Sequence, residues 1–494
     1  MRPPTRILLA ALVLTGGSAS SVDAAAAPRR YLFLQPEFLT ASSGVALTVN
    51  PPAPGEIVLR PDRPWEGLMI SFYLTVREEK GVLRMWYICR DHDNQPNLAY
   101  AESSDGLHWR KPNLGIVDYH GSRDNNLVGI PALEGVVLPD SRQTPAERYQ
   151  YVTNVQREGI CRYFSPDGWH WQRQAQPLLA FESDTQIVTW WDTRLGKYVI
   201  YLRGWDPGTD TTRRRKVVRI AVADLHAPIA VTPSGRPTRP PGSDPRRKPW
   251  IVDEIPTVLQ CDAEDPPLTD IYTIAAQPYP LDPSWYVGFP SYFRHRPESD
   301  APPYENQGRQ EVHFIGGRDG IAWERYDRRA YVAPGPTDSN SANMTFMGVG
   351  LIVRPDELWQ YGTGFRSLHG DVAERRRRPD GVIYRYRQRP DGFVSLDSAG
   401  AGGRARTALV TVAGSHLLLN VDTGALGDLQ VGLVDAAGVA VPGFAIGDCD
   451  LVQTNSTHAV VSWQGRSDLT PLAGRSVSLE IRSHRTKLYS FRFE

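Results

Sequence analysis

The chain has 494 residues, of which 41% are hydrophobic and 10% aromatic, enough to bury a large core and too apolar for a disordered protein. Its 55 Lys and Arg balance 55 Asp and Glu, so no global field draws it to nucleic acid or to an anionic membrane. A neutral, aromatic-rich surface suits a neutral ligand.

The chain opens with Arg2 and Arg6, an apolar run from Ile7 to Leu14 and small residues through Ala27. This pattern predicts a secretory signal peptide over 1–27, too short for a membrane span, and hence a secreted or periplasmic product. Arg30 to Asp62 is expected to be a short lead-in, with Val45 to Asn50 as its clearest strand.

The organising phrase comes next. Asn97 to Trp109 runs from a hydrophobic strand into Ser103-Ser104-Asp105-Gly106 and ends on an aromatic, a strong hairpin signal because Gly tolerates the positive φ of the turn. The box recurs at Asp167-Gly168, Asp319-Gly320 and Asp391-Gly392, at gaps of 62, 152 and 72 residues. The long middle gap asks for a degenerate copy, and Ala223-Asp224-Leu225-His226 is the best candidate. Five such units predict an all-β fold with a five-bladed β-propeller over 28–398. The four aspartates of the boxes are expected to hold hairpins, not to react.

Blade one is expected from Trp65 to the first box, blade two from Gly135, blade three from Asp184, blade four from Asp270 and blade five from Met344, with Val382 to Gln388 and the last box closing it. The Pro-rich stretch 228–249 and the run Arg375 to Arg378 both read as solvated loops. Beyond Ala399, short alternating strands with frequent turns predict a C-terminal antiparallel β-sandwich over 399–494. The four cysteines, Cys89, Cys161, Cys261 and Cys449, have no metal-ligand spacing and are expected to be buried thiols.

In a propeller, the starts of first strands and the ends of second strands open on one face. Three carboxylates meet the first condition: Glu66, Asp184 and Asp270. Glycoside cleavage needs one carboxylic acid to protonate the leaving oxygen and a second carboxylate as nucleophile or base, so this trio is the expected catalytic set. Trp65, Trp205 and Tyr272 are expected to stack on sugar rings, and Arg90, Asp91, Arg203, His295 and His369 to bind hydroxyls or an acidic substituent. His295 and His369 lack zinc-site spacing; no metal ligand set and no required cofactor is predicted, although the channel of such a fold can accommodate a calcium ion.

Trp65-Glu66-Gly67, Arg84-Met85-Trp86-Tyr87, the first box with Lys111-Pro112-Asn113-Leu114-Gly115, Asp184-Thr185-Gln186, Asp265-Pro266-Pro267 with Asp270-Ile271-Tyr272, and Phe289-Pro290-Ser291 resemble a group of secreted bacterial proteins similar to the five-bladed propeller glycoside hydrolases of families 32 and 43. The resemblance implies hydrolysis of a poly- or oligosaccharide through three acids of a central funnel. The Asn-Asp-Pro-Asn, Arg-Asp-Pro and Glu-Cys motifs of the fructosidases are absent, so fructanase activity is not implied, and blade two offers no obvious acid at its first strand. The reading from another class is a non-catalytic carbohydrate-binding propeller, which would bind glycans without turnover. Oligomeric state is not legible in the sequence.

Overall fold

A computed structural model describes residues 29–130, 134–206, 214–232, 234, 244, 246–295 and 307–494; the expected signal peptide lies outside them, as does much of the Pro-rich stretch. The described chain is almost entirely β, with one short α-helix, Val372–Arg377.

Three antiparallel meanders of four strands follow one another. The first is Met69–Glu79, Val82–Arg90, Pro96–Ser103 and Leu127–Val128. The second is Val136–Pro139, Tyr149–Val155, Gly159–Ser165 and Gln172–Arg173, and the third is Val188–Asp192, Lys197–Asp206, Arg214–Val222 and Thr257–Leu259. The fourth runs through Thr269–Thr273, Ser291–His295 and Gly308–Val312, continued by the small sheet Gln277–Pro278, Tyr286–Gly288 and Ile315–Gly317. A single parallel pair, Gln310 with Met344, joins it to the fifth meander, Met344–Met347, Leu358–Phe365 and Val382–Gln388.

The fourth strand of the fifth meander comes from the other end of the chain. Ala53–Leu59 pairs antiparallel with Val382–Gln388, Leu59 facing Ile383. The last box therefore does not supply that strand: Val394–Ser398 leaves this meander and pairs with Val45–Val49 and Lys487–Phe493. The expected lead-in behaves likewise. Arg30–Leu32 and Val45–Val49 join a six-stranded sheet with C-terminal strands, and Leu39–Ser43 joins a five-stranded one. Strand pairing thus crosses the boundary expected after residue 398, because edges left open by the C-terminal strands are completed by N-terminal ones. The two sheets share an apolar cluster that includes Tyr31, Phe33, Leu417, Leu419, Val431, Leu433, Leu479, Ile481 and Phe491.

The boxes explain how the meanders hold together. Asp105 Oδ1 accepts the amides of Leu107 and His108, and Asp167 Oδ1 accepts those of Trp169 and His170, while Ser103 and Ser165 close the same turns from the other side. This leaves a glycine carbonyl pointing outward, and the neighbouring meander takes it. Gly106 O accepts from Tyr361 Oη of the fifth meander, Gly168 O from Trp86 Nε1 of the first and Gly320 O from Tyr201 Oη of the third. The degenerate turn Asp224–His226 reaches Glu147 of the second meander through His226 Nε2 at 2.8 Å. Asp391 accepts from Tyr279 Oη, in the fourth meander, at 2.7 Å. Each turn is thus pinned to the meander before it, and the sequence of contacts returns to its start.

Of the arginine run, Arg376, Arg377 and Arg378 are exposed as expected, but Arg375 is not, and the segment is a short helix in place of a loop. Asp371 caps the short helix by accepting from Glu374 N, and the helix turns Arg375 inward, where only 3% of it is exposed. Its guanidinium donates to Ser367 Oγ and to the carbonyls of Leu368 and His369.

Candidate active site

Glu134 stands directly before the first strand of the second meander, and Asp184 shortly before that of the third. The backbone ties these two strand starts together: Ile187 N donates to Glu134 O at 2.5 Å, and Gly135 bridges Ile187 in parallel. Side chains repeat the connection. Asn154 hydrogen-bonds the Glu134 carboxyl group, and its Oδ1 accepts from Ser183 N at 3.1 Å. Ser183 Oγ in turn accepts from Arg203 N at 2.8 Å, and Arg203 Nη1 lies 2.9 Å from Asp184 Oδ1.

These neighbours set the protonation of Glu134. Burial and the charge of nearby Asp184 push its pKa up to about 8, against the opposing pull of Arg203, Arg90 and the Asn154 hydrogen bond. At neutral pH Glu134 carries a proton. Asp184 is 43% exposed and ion-paired with Arg203, which also donates to the carbonyls of Asp184 and Tyr272. The sequence reading missed Glu134, although it finds no other acid at the first strand of this unit. The available signal was the pair Glu134-Gly135 before an apolar strand, the same pattern as Glu66-Gly67.

Several expected binding residues gather beside this pair. The Arg203 guanidinium lies 4.2 Å from the Tyr272 ring centroid, and Tyr272 Oη is 2.8 Å from His369 Nε2. His369 stacks on Phe72 at 5.2 Å between centroids. The Tyr73 phenol belongs to the same cluster: burial, with Tyr272 close by, raises its pKa well above the ordinary value. Trp205 stacks face to face on Trp250 at 4.4 Å. Arg90 is half-buried and reaches the charge of Glu134.

Asp270 is placed differently from Asp184. Only 2% of it is exposed, and Oδ2 is held between Arg215 Nη1 at 2.7 Å and His295 Nε2 at 2.9 Å. Burial works against its charge, but the His295 hydrogen bond and the Arg215 charge keep its pKa below the ordinary carboxylate value. Arg215 also packs 5.1 Å from the rings of both Trp205 and Tyr272; with Trp250 on Trp205 and Arg203 on Tyr272 these rings are 9% and 7% exposed, so the expected sugar-stacking faces are covered.

Three further expectations need correction. Glu66 is not on an open rim: it is fully buried in the turn Pro64–Glu66. Its oxygens accept from Asp62 N, Arg63 N, Tyr87 Oη and Lys111 Nζ, which leaves no face for a sugar. Trp65 is also buried, with Nε1 donating to Asn126 Oδ1 at 2.9 Å and Tyr119 packed edge-on, so its ring is not a stacking platform. Asp91 is 5% exposed and closes its own loop by accepting from Gln95 N.

Among the described residues no group of three or more His, Cys, Asp or Glu side chains is arranged to hold a metal ion. All four cysteines are free thiols.

No protein-family model matches the chain, and no curated protein matches it in sequence. Solved structures similar to it include glycoside hydrolases. One, described only as a glycoside hydrolase, is 14% identical and aligns over 70% of this chain and 93% of its own, with a TM-score of 0.42. A family 43 arabinoxylan arabinofuranohydrolase from Bacillus subtilis, in complex with cellotetraose, is 10% identical over 89% of this chain and 99% of its own, with a TM-score of 0.38. An exo-β-1,3-galactanase from Phanerochaete chrysosporium is 9% identical over 90% and 99%, with a TM-score of 0.35. At such low similarity the functional reading rests on the side chains described above.

Proposed function

We propose that this protein is a secreted glycoside hydrolase, a five-bladed β-propeller carrying a β-sandwich, that cleaves glycosidic bonds of a poly- or oligosaccharide with Glu134 and Asp184. The observation that carries the reading is the pairing of a protonated carboxyl group with an exposed carboxylate at two strand starts tied together by Asn154, Ser183 and the backbone. The cyclic order of the box contacts and the closure by Ala53–Leu59 support the five-bladed ring.

In this reading Glu134 is the general acid. As the bond between the anomeric carbon and the bridging oxygen breaks, the electron pair goes to that oxygen and the Glu134 proton follows it. Asp184 faces the positive charge that develops on the sugar, either attacking the anomeric carbon or taking a proton from water. Arg203 orients Asp184, and the packed rings of Trp205 and Tyr272 hold Arg203 in place. Asp270 acts through Arg215 and His295 as a positioning residue. Glu66, expected in the catalytic trio, becomes a structural post of the first meander.

Release of reducing sugar across a glycan panel tests this, with Glu134→Gln and Asp184→Asn as comparisons. Release by the wild type, lost in both variants with folding intact, is expected; unchanged release in both would remove the site. The ion-pairing of both aspartates to arginines favours a second reading, a propeller that binds carbohydrate without cleaving it. Saturable binding with no release on any glycan would select it.

A further inference from the structure

The charges around Glu134 do not all pair. Arg90 and Arg203 act on Glu134, Arg215 packs on Tyr272, and Arg375 lies within reach of Arg90 and Tyr272, against the carboxylates of Asp184, Asp270, Asp371 and Asp380. Asp184 engages Arg203, Asp270 engages Arg215, and the charges of Asp380 and Asp371 act on Arg375, which leaves the Arg90 guanidinium over. Arg375 is buried and donates only to neutral oxygens. Arg90 is half-buried, and its hydrogen bonds among the described residues go to the carbonyl and side-chain oxygens of Asn94. The two are near enough for their charges to act on one another, and Arg90 also reaches Glu134.

This leaves one guanidinium without an ion pair among the described residues, in a protein whose net charge is zero. A guanidinium held out of water without a carboxylate partner is costly, and the cost is offset when a bound anion completes the pair, often with two parallel hydrogen bonds. The same region contains buried donors that have nothing to donate to. Arg203 Nε and Trp205 Nε1 are both without a hydrogen-bond partner. A ligand rich in acceptor oxygens satisfies such a set.

Resting on the hydrolase reading and deepening it, we propose that the glycan carries a negative charge, a carboxylate or a sulfate on the sugar unit bound beside Glu134, and that Arg90 is the residue that recognises it. The geometry distinguishes this from a site for neutral pentoses or hexoses, which would leave Arg90 without an ion-paired carboxylate. A bound anion would also neutralise the positive charge that favours ionisation of Glu134, so the substrate itself would help to keep the proton on the acid.

Affinity electrophoresis of the full secreted chain tests the proposal, through gels containing polygalacturonate, alginate or chondroitin sulfate on one side and arabinan, xylan, galactan or dextran on the other. Glu134→Gln is run alongside the wild type so that turnover does not erase retardation. Retardation is expected with at least one acidic polysaccharide and with none of the neutral ones. The carboxylate-only polymers separate a uronate from a sulfate ester. Arg90→Gln should weaken that retardation at least tenfold while its melting temperature stays near wild type, and Arg90→Lys should restore part of it. Should Arg90→Gln unfold, the salt dependence of wild-type retardation, steep for a charged ligand and flat for a neutral one, gives the same discrimination. Retardation or hydrolysis confined to neutral glycans would overturn the charge proposal and leave the hydrolase standing. Equal retardation of Arg90→Gln and wild type would overturn the role of Arg90. Neither binding nor hydrolysis of any of these glycans would overturn both.

Discussion

Lys111 Nζ lies 2.7 Å from Glu66 Oε2 in a place where neither side chain meets solvent to any extent, 6% of the lysine side chain and none of the glutamate being exposed. Tyr87 Oη and two backbone amides complete the carboxylate shell. Lys111 keeps Asp62 Oδ1 at 2.6 Å when the Glu66 charge is removed, so the loss is that of hydrogen bonds to a charged group, about 1.5–3 kcal/mol. Glu66→Gln is therefore expected to lower the melting temperature measured by circular dichroism, while sugar release per folded molecule is retained. Loss of release at an unchanged melting temperature would return Glu66 to the catalytic set.

On the proposed reading, the proton on Glu134 sets an alkaline limit to sugar release. Release should decline as pH rises through about 8, the value to which burial and Asp184 push this carboxyl group. Glu134→Gln should reduce release about a hundred- to ten-thousandfold, the usual contribution of a general acid. Stability carries the same signature. A carboxyl group that ionises later in the folded than in the unfolded chain binds more protons when folded, so stability falls as pH rises from the ordinary carboxyl range to about 8. Melting curves from pH 5 to 9 should show this slope in the wild type and a shallower one in Glu134→Gln.

Asp270 should behave with the opposite sign. Its pKa is held below the ordinary value in spite of burial, through His295 and Arg215, so the stability it contributes is present above the ordinary carboxylate range and lost as pH falls through its folded value. Asp270→Asn leaves Arg215 facing the rings of Trp205 and Tyr272 without this carboxylate. Weaker glycan binding and a lower melting temperature at pH 7 are expected, with the difference from wild type shrinking in acid. A melting temperature difference that is constant between pH 2 and 7 would count against this.

Gly168 and Gly121 separate the two costs of replacing a turn glycine. Both have φ of +85°, but a Cβ on Gly168 would come within 2.8 Å of the Trp86 ring, whereas one on Gly121 meets nothing within 4 Å. Gly121→Ala should lose only the backbone preference, roughly 1 kcal/mol. Gly168→Ala should lose distinctly more in urea unfolding, because Trp86 must shift and its hydrogen bond to Gly168 O loosens. Equal losses would mean that the box does not staple one meander to the next.

The parts of the fold that sequence makes legible are local. Asp105 and Asp167 are readable because an aspartate accepting amides two and three residues ahead, followed by a glycine at positive φ, is written within five residues. The strand starts at Asp184 and Asp270 follow from alternation. Glu66 misleads because its fate is decided by Lys111, 45 positions away, and no local pattern announces a buried lysine. Glu134 is hidden by brevity: Val136–Pro139 is a four-residue strand with little alternation to mark where it begins. The pairing of Ala53–Leu59 with Val382–Gln388 spans more than three hundred residues and leaves no mark on either segment.

That last pairing has a kinetic consequence. During synthesis the segment 53–59 emerges early, with a free hydrogen-bonding edge, and its partner strand arrives more than three hundred residues later. The nascent chain must therefore wait with this pairing unmade, and a truncated product that ends before Val382 would carry unmatched edges, a substrate for proteases and for aggregation alike.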